Sequence, residues 1–176
     1  MSMLRKPESS EYASHFGAYV NLVPEGRLVE LLVEQSEQMK SMLERVTEEQ
    51  GSFRYAPGKW SLKEVLGHMA DTERVMSYRL LRVARGDQTM LPGFSEEAFV
   101  AGASFDQQPL KYLIEELAVV RRSTLSLLNG MPVEAWLRKG NVNGAETSAR
   151  ALAYVIAGHE LHHCRVIRER YLSAVR

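Results

Sequence analysis

The chain is 176 residues long, with 45% hydrophobic residues, 25% charged residues and a formal net charge of zero. That length suits one domain with a substantial core and is short for two, so a single domain over 1–176 is expected. The even charge balance excludes the electrostatic footprint of a nucleic-acid or anionic-membrane partner, and no apolar run approaches the roughly 20 residues of a membrane span.

Residues 1–23 are mixed and aromatic, with Tyr12, Phe16 and Tyr19, and are expected to lie as an arm along the domain. They contain no apolar secretory core. Cys164 is the single cysteine. It excludes an internal disulfide and points to a reducing, cytoplasmic setting.

Helical periodicity begins at about Glu25 and runs to Val46, with Leu28, Leu31, Leu32, Met39, Met42 and Leu43 at three- and four-residue steps. Pro24 suits its first turn. A second helix starts at Ser61, where S-x-x-E with Glu64 forms a capping box, and stops at Gly86. Its apolar face is Leu62, Val65, Leu66, Met69, Met76, Leu80 and Val83, with His68 at the margin. The basic clusters Arg79, Arg82, Arg85 and Arg165, Arg168, Arg170 are interleaved with acids and read as solvated faces.

The stretch DQTMLPGFSEEAFVAGASFDQQ is long for a loop and predicts a short helix capped by Ser95. A third helix covers about Pro109 to Leu128 and ends at Asn129-Gly130. After the turn-rich GNVNG a fourth begins near Thr147 or Ser148 and runs to about Ala174. No stretch alternates convincingly as a strand. The expected architecture is all-α, a four-helix bundle with a long crossover between the second and third helices.

The last helix carries His159-Glu160-Leu161-His162-His163, an H-E-x-x-H pattern. At about 100° per residue, His163 lies about 40° from His159, both at the centre of the apolar stripe. His162 falls on its shoulder. Two imidazoles one turn apart on a buried face can chelate one divalent ion. The competing reading is a pair of core histidines bonded to buried acids. His68 is the best third ligand, mid-helix and able to face the last helix. His15, on the arm, ranks below it.

Around such a centre, Asp71 and Thr72 share the side of His68 and could hold its imidazole in orientation, as could His162. Glu73 lies within the apolar arc and needs a partner, either the metal shell or an arginine. Glu160 adjoins His159 and could be a general base, although a solvent-facing charge is the simpler role. Three histidines leave an open coordination position, the arrangement of a catalytic site.

The peptidase reading fails on the remaining chain. Zincins complete the site after the motif, and the one acid there is Glu169. It projects at about 280°, well away from the pair, because the helix continues through Val166 without the required glycine turn. No sheet edge is expected to hold a peptide.

YAPGKWSLKEVLGHMADTERVMSYRLLRVARGD, LPGFSEEAFV and GHELHHCRVIRERYL resemble the DinB/YfiT-like family of small metal-binding four-helix proteins, over about Leu22 to Leu172. The specific marks are W-S-x-x-E-x-x-x-H and the terminal H-x-x-x-H. The resemblance implies a divalent metal, commonly zinc or nickel, on His68, His159 and His163, and a tendency to form homodimers. It does not specify an activity.

The leading expectation is a metal-dependent enzyme acting on a small molecule, with a low-molecular-weight thiol bound at the open position as a thiolate for S-transfer. The alternatives are hydrolysis by metal-bound hydroxide, with Glu160, Glu73 or Asp71 as base, and a non-catalytic, metal-binding, dimeric stress protein. Cys164, at about 140° from His159, reads as packing.

Overall fold

The structure, a computed structural model, describes residues 5–173. Within the arm these begin at Arg5, and Ala174, the expected end of the last helix, lies outside them.

Four long helices build the bundle: α2 (Leu28–Leu43), α4 (Leu62–Ala84), α6 (Leu110–Asn129) and α7 (Ala149–Val166). Two single-turn helices, α1 (Gly17–Val20) and α3 (Glu48–Gly51), precede α2 and α4. The crossover holds α5 (Glu96–Ala103) and a 3-10 turn, Phe105–Gln107. Neighbouring helices form a ring in the order α2, α6, α4, α7, with α4 packing most extensively on α7 and α6. Beyond Val166 the last helix continues in π register over Ile167–Leu172, and buries Ile167 and Tyr171. Among the described residues no helix is long and apolar enough to cross a membrane.

The helix starts follow from their caps. Ser61 Oγ accepts from Glu64 N at 3.0 Å, and Glu64 Oε2 accepts from Ser61 N at 2.8 Å. Ser148 accepts from Ala151 N at 3.1 Å, and Ser95 from Ala98 N at 3.2 Å. Each satisfies a donor the helix leaves unpaired. The first long helix departs from expectation. It starts at Leu28, because the chain bends at Glu25 and takes a left-handed φ of 107° at Gly26, and it ends at Leu43.

The second departure is a short hairpin, β1 (Lys139–Val142) with β2 (Ala145–Ser148), paired antiparallel ahead of α7. Its turn is Asn143-Gly144, with φ 52° and 83°, the left-handed pair that closes two-residue hairpins. The Asn-Gly dipeptide was the available signal, and strands this short show no alternation to read. Leu91 of the crossover bonds to the same hairpin, with Leu91 N donating to Asn141 O at 2.9 Å.

The core is divided. One apolar cluster gathers Val20, Leu32, Met76, Leu80, Leu128 and Ile156. The other gathers Met39, Leu66, Met69, Leu117, Val120 and Ile167. Between them every long helix contributes buried polar residues: Gln35 from α2, His68, Thr72 and Glu73 from α4, Arg121 and Thr124 from α6, His159 and Glu160 from α7. This polar layer holds the site.

Candidate metal centre

His68 of α4 and His159 of α7 meet across the most extensive helix contact in the bundle. Nε2 of His159 lies 3.1 Å from Nε2 of His68 and 3.1 Å from Nε2 of His163. All three ligand atoms fall within 4.8 Å of one another. A ring nitrogen offers one in-plane hydrogen or one lone pair. Nε2 of His159 can therefore satisfy one of its two neighbours by hydrogen bonding, not both.

A cation at the centre satisfies all three. With metal–nitrogen bonds of about 2.0–2.1 Å, adjacent ligands sit roughly 2.9 Å apart in an octahedron and roughly 3.4 Å apart in a tetrahedron. The observed 3.1 Å lies between. The three histidines thus form a site able to coordinate a divalent metal ion.

Burial keeps these imidazoles neutral, the form that ligates a metal. It lowers His68 to about 4 and His163 to about 3, with neighbouring histidines adding to the shift. His159 is lowered as well, by burial and then by His163 and His68.

Two glycines bring neighbouring segments against the ligands. A Cβ on Gly158, beside His159, would lie 2.1 Å from the Tyr19 carbonyl oxygen. One on Gly67, beside His68, would lie 2.4 Å from the Phe105 ring. Their absence lets α1 of the arm pack on α7, and lets the crossover pack on α4. Tyr19 consequently reaches the site, with ring centroids 5.3 Å from His159 and 5.8 Å from His162. Its phenol is raised by burial and by the Glu96 carboxylate of the crossover. On the other side Trp60 sits 4.9 Å from His68. Arm and crossover thus pack beside the ligand-bearing helices. Tyr19 and Trp60 are wall residues that helical spacing alone did not single out.

The remaining candidates separate. Thr72 Oγ1 is 3.4 Å from His68 Nδ1, whereas Asp71 pairs with Arg74 at 3.1 Å on the partly exposed side of α4. His162 stacks edgewise on His163 at 5.0 Å and is outside the ligand group. His15 is exposed and packs on Phe16. Cys164 is buried, and burial pushes its thiol up to about 12.

Glu160 is corrected from a solvent-facing charge to a buried one, 4% exposed. It pairs with Arg121, and burial raises its carboxyl while that guanidinium opposes the shift. Glu73 finds the same arginine, with Arg121 Nε and Nη2 each 2.8 Å from its two oxygens. Of the two partners open to Glu73, the arginine is the one observed. Arg121 was legible in the spacing Leu117, Arg121, Thr124, Leu128, which runs down the buried face of α6.

Arg79 is a further correction. It is buried at 4% exposure, donates to Pro92 O at 2.6 Å and lies over the Phe94 ring, so it clamps the crossover instead of facing solvent. Arg85, Arg165, Arg168 and Arg170 are exposed as expected.

A four-helix bundle with three converging histidines in its polar layer defines the class. The chain belongs to the DinB superfamily, whose sequence profile matches residues 31–167. No curated protein sequence matches it. Among solved structures it is similar to YfiT from Bacillus subtilis, which has an unusual four-helix bundle topology. Identity is 16%, TM-score 0.77, and 96% of this chain and 93% of that chain are covered. It is also similar to the DinB-like protein YjoA from Bacillus subtilis, at 16% identity and TM-score 0.62, covering 86% of this chain and 93% of that one.

Proposed function

We propose that this protein is a metal-dependent enzyme acting on a small molecule, with His68, His159 and His163 as ligands of a zinc or nickel ion. The supporting observation is the convergence of three Nε2 atoms on one point, with 3.1 Å from His159 to each partner. An all-imidazole set suits both metals. A divalent ion held there supplies Lewis acidity and lowers the pKa of a water or a thiol at its open face.

The chain's own residues divide the remaining work. Thr72 steadies the His68 ring. Tyr19, Trp60 and His162 wall the approach and limit water. Glu73 and Glu160 are held by Arg121 and are not free to act as general bases, and Asp71 is engaged by Arg74. Cys164 is buried and stays protonated at neutral pH, so it is not the nucleophile.

Hydrolysis is the first reading. YfiT, whose fold this chain shares, is named as a probable metal-dependent hydrolase. Transfer of a low-molecular-weight thiol is the second. One observation favours it: the cluster of ligand atoms contains no carboxylate among the described residues. A thiol, with an ordinary pKa of about 8.5, needs less help from a base than water does. A homodimer in a reducing compartment completes this reading.

The zinc- and nickel-loaded protein is to be assayed on an ester and amide panel without thiol, and on monochlorobimane with a thiol panel. Turnover of esters or amides without thiol, lost in His163→Ala, supports hydrolysis. Thiol-dependent turnover lost in the same variant supports transfer. Rates equal to those of His163→Ala on every substrate overturn the enzymatic reading.

A further inference from the structure

Arg121 is 2% exposed and sits at the centre of the polar layer. It binds both Glu73 and Glu160, donates to Leu32 O at 2.9 Å and approaches Gln35 Oε1 at 3.4 Å. Gln35 in turn donates to Ala157 O at 2.9 Å. All four long helices therefore meet on one guanidinium. When both are ionised, the two carboxylates carry more negative charge than it offsets, in a desolvated layer. Replacing such a group by apolar residues is often neutral or stabilising, which leaves room for a role beyond stability.

Its position offers another use. Glu160 follows His159 directly, and Glu73 follows His68 by five residues. Glu73, Glu160 and His159 line one small cavity of about 10 Å³, with Thr72 beside them, so both carboxylates share a space with a ligand histidine. Three neutral imidazoles bring no charge to a divalent ion, and an ion in a dry interior is costly without countercharge.

We propose that Glu73 and Glu160, fixed by Arg121, are positioning residues that supply the anionic countercharge of the metal centre and set its affinity. This rests on the reading of the three histidines as a metal site. Arg121 engages both carboxylates, and neither joins the cluster of ligand atoms, so they strengthen binding without filling the open coordination position.

The test measures zinc affinity by competition with a chromophoric chelator, beside the thermal midpoint of the metal-free protein. Glu73→Gln and Glu160→Gln each keep shape and an acceptor for Arg121 while removing charge. Each is expected to weaken zinc about tenfold, in the range seen for partners of metal ligands. Glu73→Asp, which keeps the charge, is expected to restore most of that loss. Gln35→Met removes network hydrogen bonds and no charge, and is expected to leave affinity within about twofold of wild type.

Gln variants that bind zinc as tightly as wild type overturn the proposal, whatever their thermal midpoints. So does a loss in Gln35→Met equal to that in the Gln variants, which marks a packing effect. Should one Gln variant fail to fold, the other carries the test from a different helix. Failure of the wild type to bind zinc or nickel, or retention of both by His159→Ala, overturns the metal reading itself.

Discussion

At the scale of single residues the site is governed by what burial does to titratable groups. An unfolded histidine takes its proton near pH 6.5, while folded His68 does so near 4 and folded His163 near 3. Between those values the unfolded chain binds more protons than the folded one, so stability rises with pH. The metal-free protein is therefore expected to lose thermal stability as pH falls from about 6.5 to about 4, read as a falling midpoint by circular dichroism. His163→Gln should flatten that dependence. Glu11 has a lower, partly overlapping window. Burial raises its carboxyl, but bonds from Arg150 (Nε to Oε2 at 2.8 Å) outweigh this and leave it at about 2. Its contribution is lost progressively as pH falls from about 4.5 to about 2, so mutation of Glu11 or of the histidines tells the two slopes apart.

At the scale of elements the two glycines beside the ligands decide how arm and crossover dock. At Gly158 the obstacle to a Cβ is the Tyr19 backbone, which cannot swing aside. At Gly67 it is the Phe105 ring, which can rotate away at the cost of packing. Overpacking of this kind costs about 1–3 kcal/mol and sometimes more. Gly158→Ala is expected to destabilise beyond that range and to displace α1. Gly67→Ala should fall within it. Urea titration ranks the two, and equal losses would show that α1 yields as readily as a side chain. The Ser61 box is a smaller local term. Ser61→Ala should cost about 1 kcal/mol by the same titration, with the fold retained.

At the scale of the whole molecule the polar layer joins four helices that apolar clusters hold only above and below it. A ligand bound to that layer in the folded state alone stabilises the entire bundle. Zinc at 100 times its dissociation constant should add about 2.7 kcal/mol. For a chain of this size that raises the thermal midpoint by roughly 5–10 °C. A chelator should reverse the rise, and His159→Ala should show none. An unchanged midpoint in the wild type would mean that the three imidazoles hold no zinc in the native state.

Much of this was legible in the sequence, because helical spacing is a local property. The steps from Leu28 to Leu43, the Ser61–Glu64 box and the His159–His163 pair each follow from 3.6 residues per turn and from which side chains water excludes. They define three of the four long helices, and two of the three ligands from one segment. His68 required the assumption that two helices would meet. The hairpin escaped because four-residue strands carry no period. The beginning of α2 is not legible because the periodic pattern runs through Pro24 and Gly26 without showing the bend there. Whether Glu73 and Glu160 would face solvent, metal or arginine depended on α6, a segment that says nothing of its neighbours until the bundle closes. The sequence by itself determined the periodic faces and the ligand types they carry. Only the tertiary structure decided which charges share a buried layer, because a desolvated carboxylate takes whichever cation the packing brings to it.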